Sequence, residues 1–135
     1  MQKTYFALLA LFIFISVPAF SQEQDEVYTI VEEMPQFPGG EEALFKFLGS
    51  KMKYPNDAKE NGISGVVYVK FVISADGVVR DSEIARGVHS LLDEEALRVV
   101  RLMPTWKPGT QRGKPVNVQY MLPIRFTLTE SKKKK

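Results

Sequence analysis

Val116-Asn117-Val118-Gln119-Tyr120-Met121-Leu122-Pro123-Ile124-Arg125-Phe126-Thr127-Leu128 is the last regular stretch of the chain, and its alternation decides how the rest is arranged. Val116, Val118, Tyr120, Leu122, Ile124, Phe126 and Leu128 fall on one parity. Asn117, Gln119, Met121, Pro123, Arg125 and Thr127 fall on the other. Successive side chains of a strand point to opposite faces, so the pattern predicts a half-buried strand. Pro123 adds its position in the sheet: proline has no N–H to give to a ladder and is confined to edges and bulges. The expectation is an edge strand whose outward backbone belongs to Asn117, Gln119, Met121, Pro123, Arg125 and Thr127. Such an edge is either blunted, here by Pro123 and Arg125, or used to accept an extended peptide as an added strand.

Working back along the chain, residues 66–74 after Gly65 form a run of β-branched and aromatic residues rich enough to be covered on both faces, with Val67, Val69, Phe71 and Ile73 toward the core. Ala75-Asp76-Gly77 is a hairpin turn signal leading into a second strand over 78–86. Ser90 with Asp93 suggests a capping box. In the helix it opens, Leu92, Ala96, Val99, Val100 and Met103 share a face while Glu94, Glu95, Arg98 and Arg101 turn outward. Pro104 ends that helix, Trp106-Lys107-Pro108-Gly109 makes a tight connection, and 110–115 is a polar loop. A hairpin, a helix and a further strand make a right-handed crossover that sets the last strand parallel to the second. The fold class is therefore α+β: a small three-stranded mixed sheet, in the order second, first, last, with two helices on one face.

Before this unit lies a lead-in. A short strand over 27–31 precedes Met34-Pro35-Gln36-Phe37-Pro38-Gly39-Gly40, where two prolines and two glycines exclude regular structure. Glu41 and Glu42 suit the positive end of a helix, and Ala43, Leu44, Phe47 and Leu48 recur at helical spacing up to Gly49. Pro55 takes the first-turn position of a second short helix that Gly62 stops, with Tyr54 packed over its start.

The 135 residues make one domain once the first 21 are set aside. Lys3, the apolar run 5–17 and Ala19-Phe20-Ser21 read as a signal peptide cleaved before Gln22. The rival is a retained inner-membrane anchor facing the periplasm, although the run is short against the roughly 20 residues needed to span a bilayer. With no cysteine there is neither a lipoprotein anchor nor a disulfide, so an exported domain must rest on its core. Setting aside Lys3 and Lys132, Lys133, Lys134 and Lys135 leaves 13 basic residues against 16 acidic ones. The basic character is thus the tail, a run that reads as a solvated, disordered end. The scattered basic residues of the body carry no nucleic-acid footprint. Catalytic readings are poor: His89 sits among turn and cap residues, Asp93, Glu94 and Glu95 suit a helix start, and no glycine repeat cradles a phosphate. No cofactor or metal is expected.

Several motifs in order carry a family resemblance: Tyr54-Pro55, Ala58, Gly62, Gly65 before Val66-Val67-Tyr68-Val69-Lys70-Phe71, Asp76-Gly77-Val78-Val79, Leu92-Asp93, Ala96, Trp106-Lys107-Pro108-Gly109 and Pro123-Ile124-Arg125-Phe126. Over about 53–128 the chain resembles the C-terminal domain of TonB, the energy transducer of Gram-negative envelopes. The Gln36-Phe37-Pro38-Gly39-Gly40 segment resembles a lead-in of Bacteroidetes-type TonB-like domains. The resemblance implies a partner, the TonB box of outer-membrane transporters, pairing with the final strand, and places Tyr54 and Pro55 near that contact. The chain departs from TonB in showing no proline-rich spacer between Gln22 and Met34. Were the leader retained, the linker would not cross a periplasm at about 3.6 Å per residue.

The expectation is a stand-alone periplasmic module: leader 1–21, lead-in 22–52, TonB C-terminal-like domain 53–129 and tail 130–135, monomeric or a strand-exchanged dimer. Contact with inner-membrane motor proteins would require the anchored form. The alternative function is an exported envelope-interaction or structural protein using the same fold on another partner.

Overall fold

The computed structural model describes residues 26–128 together with Ile13, Ile15 and Ser16. The leader with its cleavage point, the start of the lead-in and the lysine tail lie otherwise outside the described residues. In chain order the elements are β1 (Val27–Tyr28), α1 (Glu41–Lys51), α2 (Asn56–Glu60), β2 (Gly65–Ile73), β3 (Val79–Arg86), α3 (Ser90–Arg101), β4 (Gly109–Gln111) and β5 (Lys114–Phe126).

The sheet runs β1-β5-β2-β3, with β4 also paired to β5. Its central part has the expected order, and since β3 and β5 are both antiparallel to β2, they are parallel to each other. The sheet is nevertheless larger than three strands. β1 lies outside β5, parallel to it, with Val27 opposite Asn117 and Tyr28 opposite Val118. The expected polar loop 110–115 is instead a hairpin in which β4 folds back on the start of β5 through Arg112 and Gly113, both at positive φ. The lead-in is docked as well: Glu33 and Thr110 exchange backbone hydrogen bonds of 3.1 and 2.9 Å, and Gln36 and Lys107 exchange bonds of 3.0 and 2.8 Å.

Alternation puts Val67, Val69, Phe71 and Ile73 of β2 and Leu122, Ile124 and Phe126 of β5 on one face, where Leu44, Leu48, Ala58, Leu92, Ala96, Val99 and Val100 of the three helices close over them. All three helices serve this face. The expectation of cover on both faces holds only at Val72, which is buried on the reverse, whereas Val66, Tyr68 and Lys70 there are half-buried. Trp106 sits inside the core, 2% exposed, edge-on to Phe37, Phe71 and Tyr120 at 5.5, 5.8 and 5.1 Å.

Several local expectations shift for identifiable reasons. Gly49 does not end α1, which runs on to Lys51 before Met52 turns extended. Pro55 precedes α2 as its cap residue instead of opening its first turn. His89, not Ser90, caps α3, its ring nitrogen accepting from Leu91 N at 3.1 Å, while Asp93 accepts from Val88 N. Glu95 does not face solvent: it is 9% exposed and accepts from Lys53 N at 2.6 Å and from the Arg98 guanidinium at 2.5 and 2.9 Å. Arg98 also donates to Lys51 O, so one ion pair straps the α1–α2 link to α3.

Burial by itself would raise the Glu95 pKa, but the hydrogen bonds from Arg98 and Lys53 N, with the Arg98 charge, outweigh it and hold the carboxyl below its ordinary 4.5. A carboxylate depressed by folding adds stability that is complete above the unfolded value and is lost as pH falls through the folded one. Glu95→Gln is therefore expected to be less stable by about 1–2 kcal/mol at pH 7, the lower range because Arg98 is partly exposed. Urea titrations should show the gap to the wild type shrinking below about pH 4.5. A gap that persists unchanged in acid would contradict the ionic role.

Candidate functional site

The candidate site is the outer side of β5. In an antiparallel ladder, hydrogen-bonded and non-hydrogen-bonded pairs alternate. Pro123 stands opposite Tyr68 and has no N–H, so this pair is of the second kind. Val118, Tyr120, Leu122, Ile124 and Phe126 then bond β2, opposite Ile73, Phe71, Val69, Val67 and Gly65. Gln119, Met121, Pro123 and Arg125 turn their backbone groups outward. Among the described residues no strand pairs that outer side beyond Val118, whereas Asn117 and Val118 are covered by β1.

The residues singled out from sequence therefore divide. Met121, Pro123 and Arg125 are exposed on the open edge and Gln119 is half-buried there. Asn117 is buried, its side chain accepting from Ala75 N at 2.9 Å and donating to Glu26 O at 3.3 Å, so it fastens β1 and the hairpin turn. Its outward backbone is not on an open edge, because β1 occupies that place. Thr127 lies past the end of β5 and is exposed. Tyr54 packs edge-on against Phe126 at 5.7 Å and donates its hydroxyl proton to Ile63 O. Tyr54 is thus placed to support the end of β5, while Pro55 is the cap residue of α2.

Sequence reasoning missed the second wall of the site. α1 leaves Phe45 58% exposed, a residue that the helical pattern of buried positions had passed over. Near the other end of the edge, Tyr120 lines a cleft of about 700 Å³ with Trp106, Phe37 and Glu41. Burial first and the Glu41 charge second raise the Tyr120 pKa, so its hydroxyl is a neutral donor at neutral pH. Among the described residues no cluster of three His, Cys, Asp or Glu side chains is placed to hold a metal. The arrangement offers a row of backbone donors and acceptors flanked by apolar and aromatic side chains, which suits an extended chain.

The family described as Gram-negative bacterial TonB protein C-terminal matches residues 50–128. Two similar proteins, both named Protein TonB, come from Helicobacter pylori strains 26695 and J99; each is 31% identical over 84 residues, 62% of this chain. The match takes in 28% and 29% of those proteins, so the chain corresponds to under a third of their length. Two solution structures of the Helicobacter pylori TonB C-terminal domain are also similar. One is 32% identical and covers 64% of this chain and 78% of its own, the other is 28% identical and covers 67% and 95%, and both have a TM-score of 0.48.

Proposed function

The chain belongs to the Gram-negative bacterial TonB protein C-terminal family, and from that premise we propose a periplasmic peptide-binding module that couples energy to outer-membrane transporters by taking their TonB box as an added strand on β5. The family is one of non-enzymatic energy transducers, so the domain acts by recognition. The observation that carries the reading is the unpaired outer side of residues 119–126. The opposite sheet edge is a poor alternative: β3 has two register irregularities, a positive φ at Asp81, and Arg80, Asp81, Glu83 and Arg86 along it. Bulges and charges of this kind discourage strand addition. In this proposal the leader 1–21 delivers the domain to the periplasm and is cleaved before Gln22.

Met121→Pro tests the reading. Met121 is clear of β1 and turns its N–H outward, so the substitution removes a donor from the open edge and crowds an incoming backbone without breaking the inner ladder. Loss of one such bond is about 0.5–1.5 kcal/mol. With the added clash, the Kd of a TonB-box peptide is expected to rise about 10-fold or more. Thermal unfolding should stay cooperative. A chemical-shift titration in which folded Met121→Pro binds like the wild type would falsify strand addition here, as would a pull-down from outer-membrane extract that recovers no transporter.

A further inference from the structure

Beside the open edge, α1, the end of β5 and the start of β2 line a groove of about 530 Å³, with Phe45, Leu48, Gly49 and Met52 on the helical side and Pro123, Ile124, Arg125, Val66 and Tyr68 on the sheet side. Two choices at this place run against the stability of the helix itself. Phe45 leaves a large apolar ring 58% exposed. Gly49, one turn further along the same face, puts a glycine inside a helix, where it costs about 0.5–1 kcal/mol relative to alanine. The space is free: a Cβ built on Gly49 would meet nothing within 4 Å. An exposed ring next to an unfilled hollow is a local inconsistency of the kind that marks a functional surface.

Resting on the strand-addition reading above, we propose that this groove is a specificity pocket for one large aliphatic or aromatic side chain of the peptide that adds to β5. The occupant follows from what the groove adjoins. Its lining includes Pro123 and Arg125, whose backbone groups turn to the open side, so a ligand that fills both must present amide groups in extended conformation together with an apolar side chain turned toward α1. A strand does this by alternation, with the side chain alongside Ile124 directed at the helix. One wall of the groove, Phe45, Leu48 and Gly49, precedes the segment that matches the family, which starts at residue 50, and the rest of its lining lies within that segment.

The test is a positional-scanning library of nine-residue peptides bound to the full chain, to Gly49→Leu and to Met121→Pro. Gly49→Leu fills the groove from open space and replaces a poor helix former, so its melting temperature is expected to equal or exceed that of the wild type. The wild type should favour Leu, Ile, Met or Phe over Ala at one position by about 10-fold or more, the value of burying such a side chain. In Gly49→Leu that preference should disappear while the others remain. An unchanged preference in Gly49→Leu, or no apolar preference in the wild type, overturns the pocket. If Met121→Pro abolishes binding in that event, the edge reading stands alone; if Met121→Pro binds the library like the wild type, both readings fail.

Discussion

Tyr120→Pro is expected to abolish cooperative folding, although Met121→Pro one residue later is expected to leave it intact. Tyr120 stands opposite Phe71 in a hydrogen-bonded pair of the β2–β5 ladder. Its ring packs on Phe71 at 5.5 Å and on Trp106 at 5.1 Å. Proline here removes an inner ladder bond in the middle of a sheet and leaves its buried partner unsatisfied, about 1–3 kcal/mol. It also strips an aromatic side chain from a packed cluster, about 3–5 kcal/mol for a buried ring and less for one that is half-buried. A domain of this size holds about 5–15 kcal/mol in total. Circular dichroism through a thermal ramp should show no sigmoidal transition, while Tyr120→Phe, which keeps the ring, should melt near the wild type. A cooperative Tyr120→Pro would mean that the alternation assigned to β5 is inverted.

The second large effect is expected at Gly77, in the turn between β2 and β3. Its φ is +83°, and an added Cβ would lie 2.0 Å from Trp106 O and 3.0 Å from Thr105 Cγ2. The Gly77 carbonyl also accepts from Trp106 N at 2.8 Å. Gly77→Ala thus meets the left-handed penalty of about 1–2 kcal/mol and must push away the segment that carries Trp106, losing a hydrogen bond of about 1 kcal/mol as well. At roughly 4–8 °C per kcal/mol for a domain of about 100 residues, the melting temperature should fall by on the order of 10–20 °C. Trp106 is the single tryptophan, so its emission should shift to the red in the folded variant. A fall of only a degree or two with unchanged emission would show that the turn is not docked on this segment.

The core was legible from parity: Val118, Leu122, Ile124 and Phe126 of β5 are buried on one face, and in β2 Val67, Val69, Phe71 and Ile73 are all fully buried. The order of β3, β2 and β5 followed from chain connectivity with one proline. What escaped was short or disguised. The short strand expected over 27–31 is only Val27–Tyr28, and its pairing with β5, which removes Asn117 from the open edge, had no sequence signal. The β4–β5 turn is made by Arg112 and Gly113, not by the Asn-Gly or Asp-Gly pair that announces such hairpins. Glu95 lies between Leu92 and Val99 on the helix face, and only its charge suggested solvent; Lys53 N and Arg98, its partners, come from 42 residues upstream and from the next turn. Phe45 and Gly49 became informative only when the structure set them beside Pro123.

The docked lead-in also fixes how the domain would respond to mechanical load. Tension applied on the N-terminal side of Glu26 reaches β1 first, a two-residue contact fastened by the Asn117 side chain. Next in line is the reciprocal backbone pair between Glu33 and Thr110, then the pair between Gln36 and Lys107, and only after these Phe37 and the core. These tethers are arranged in series, so each carries the whole pull until it parts and hands a few more residues of slack to the chain. The molecule would lengthen in small discrete steps while the β2–β5 ladder and the open edge beside it remained whole.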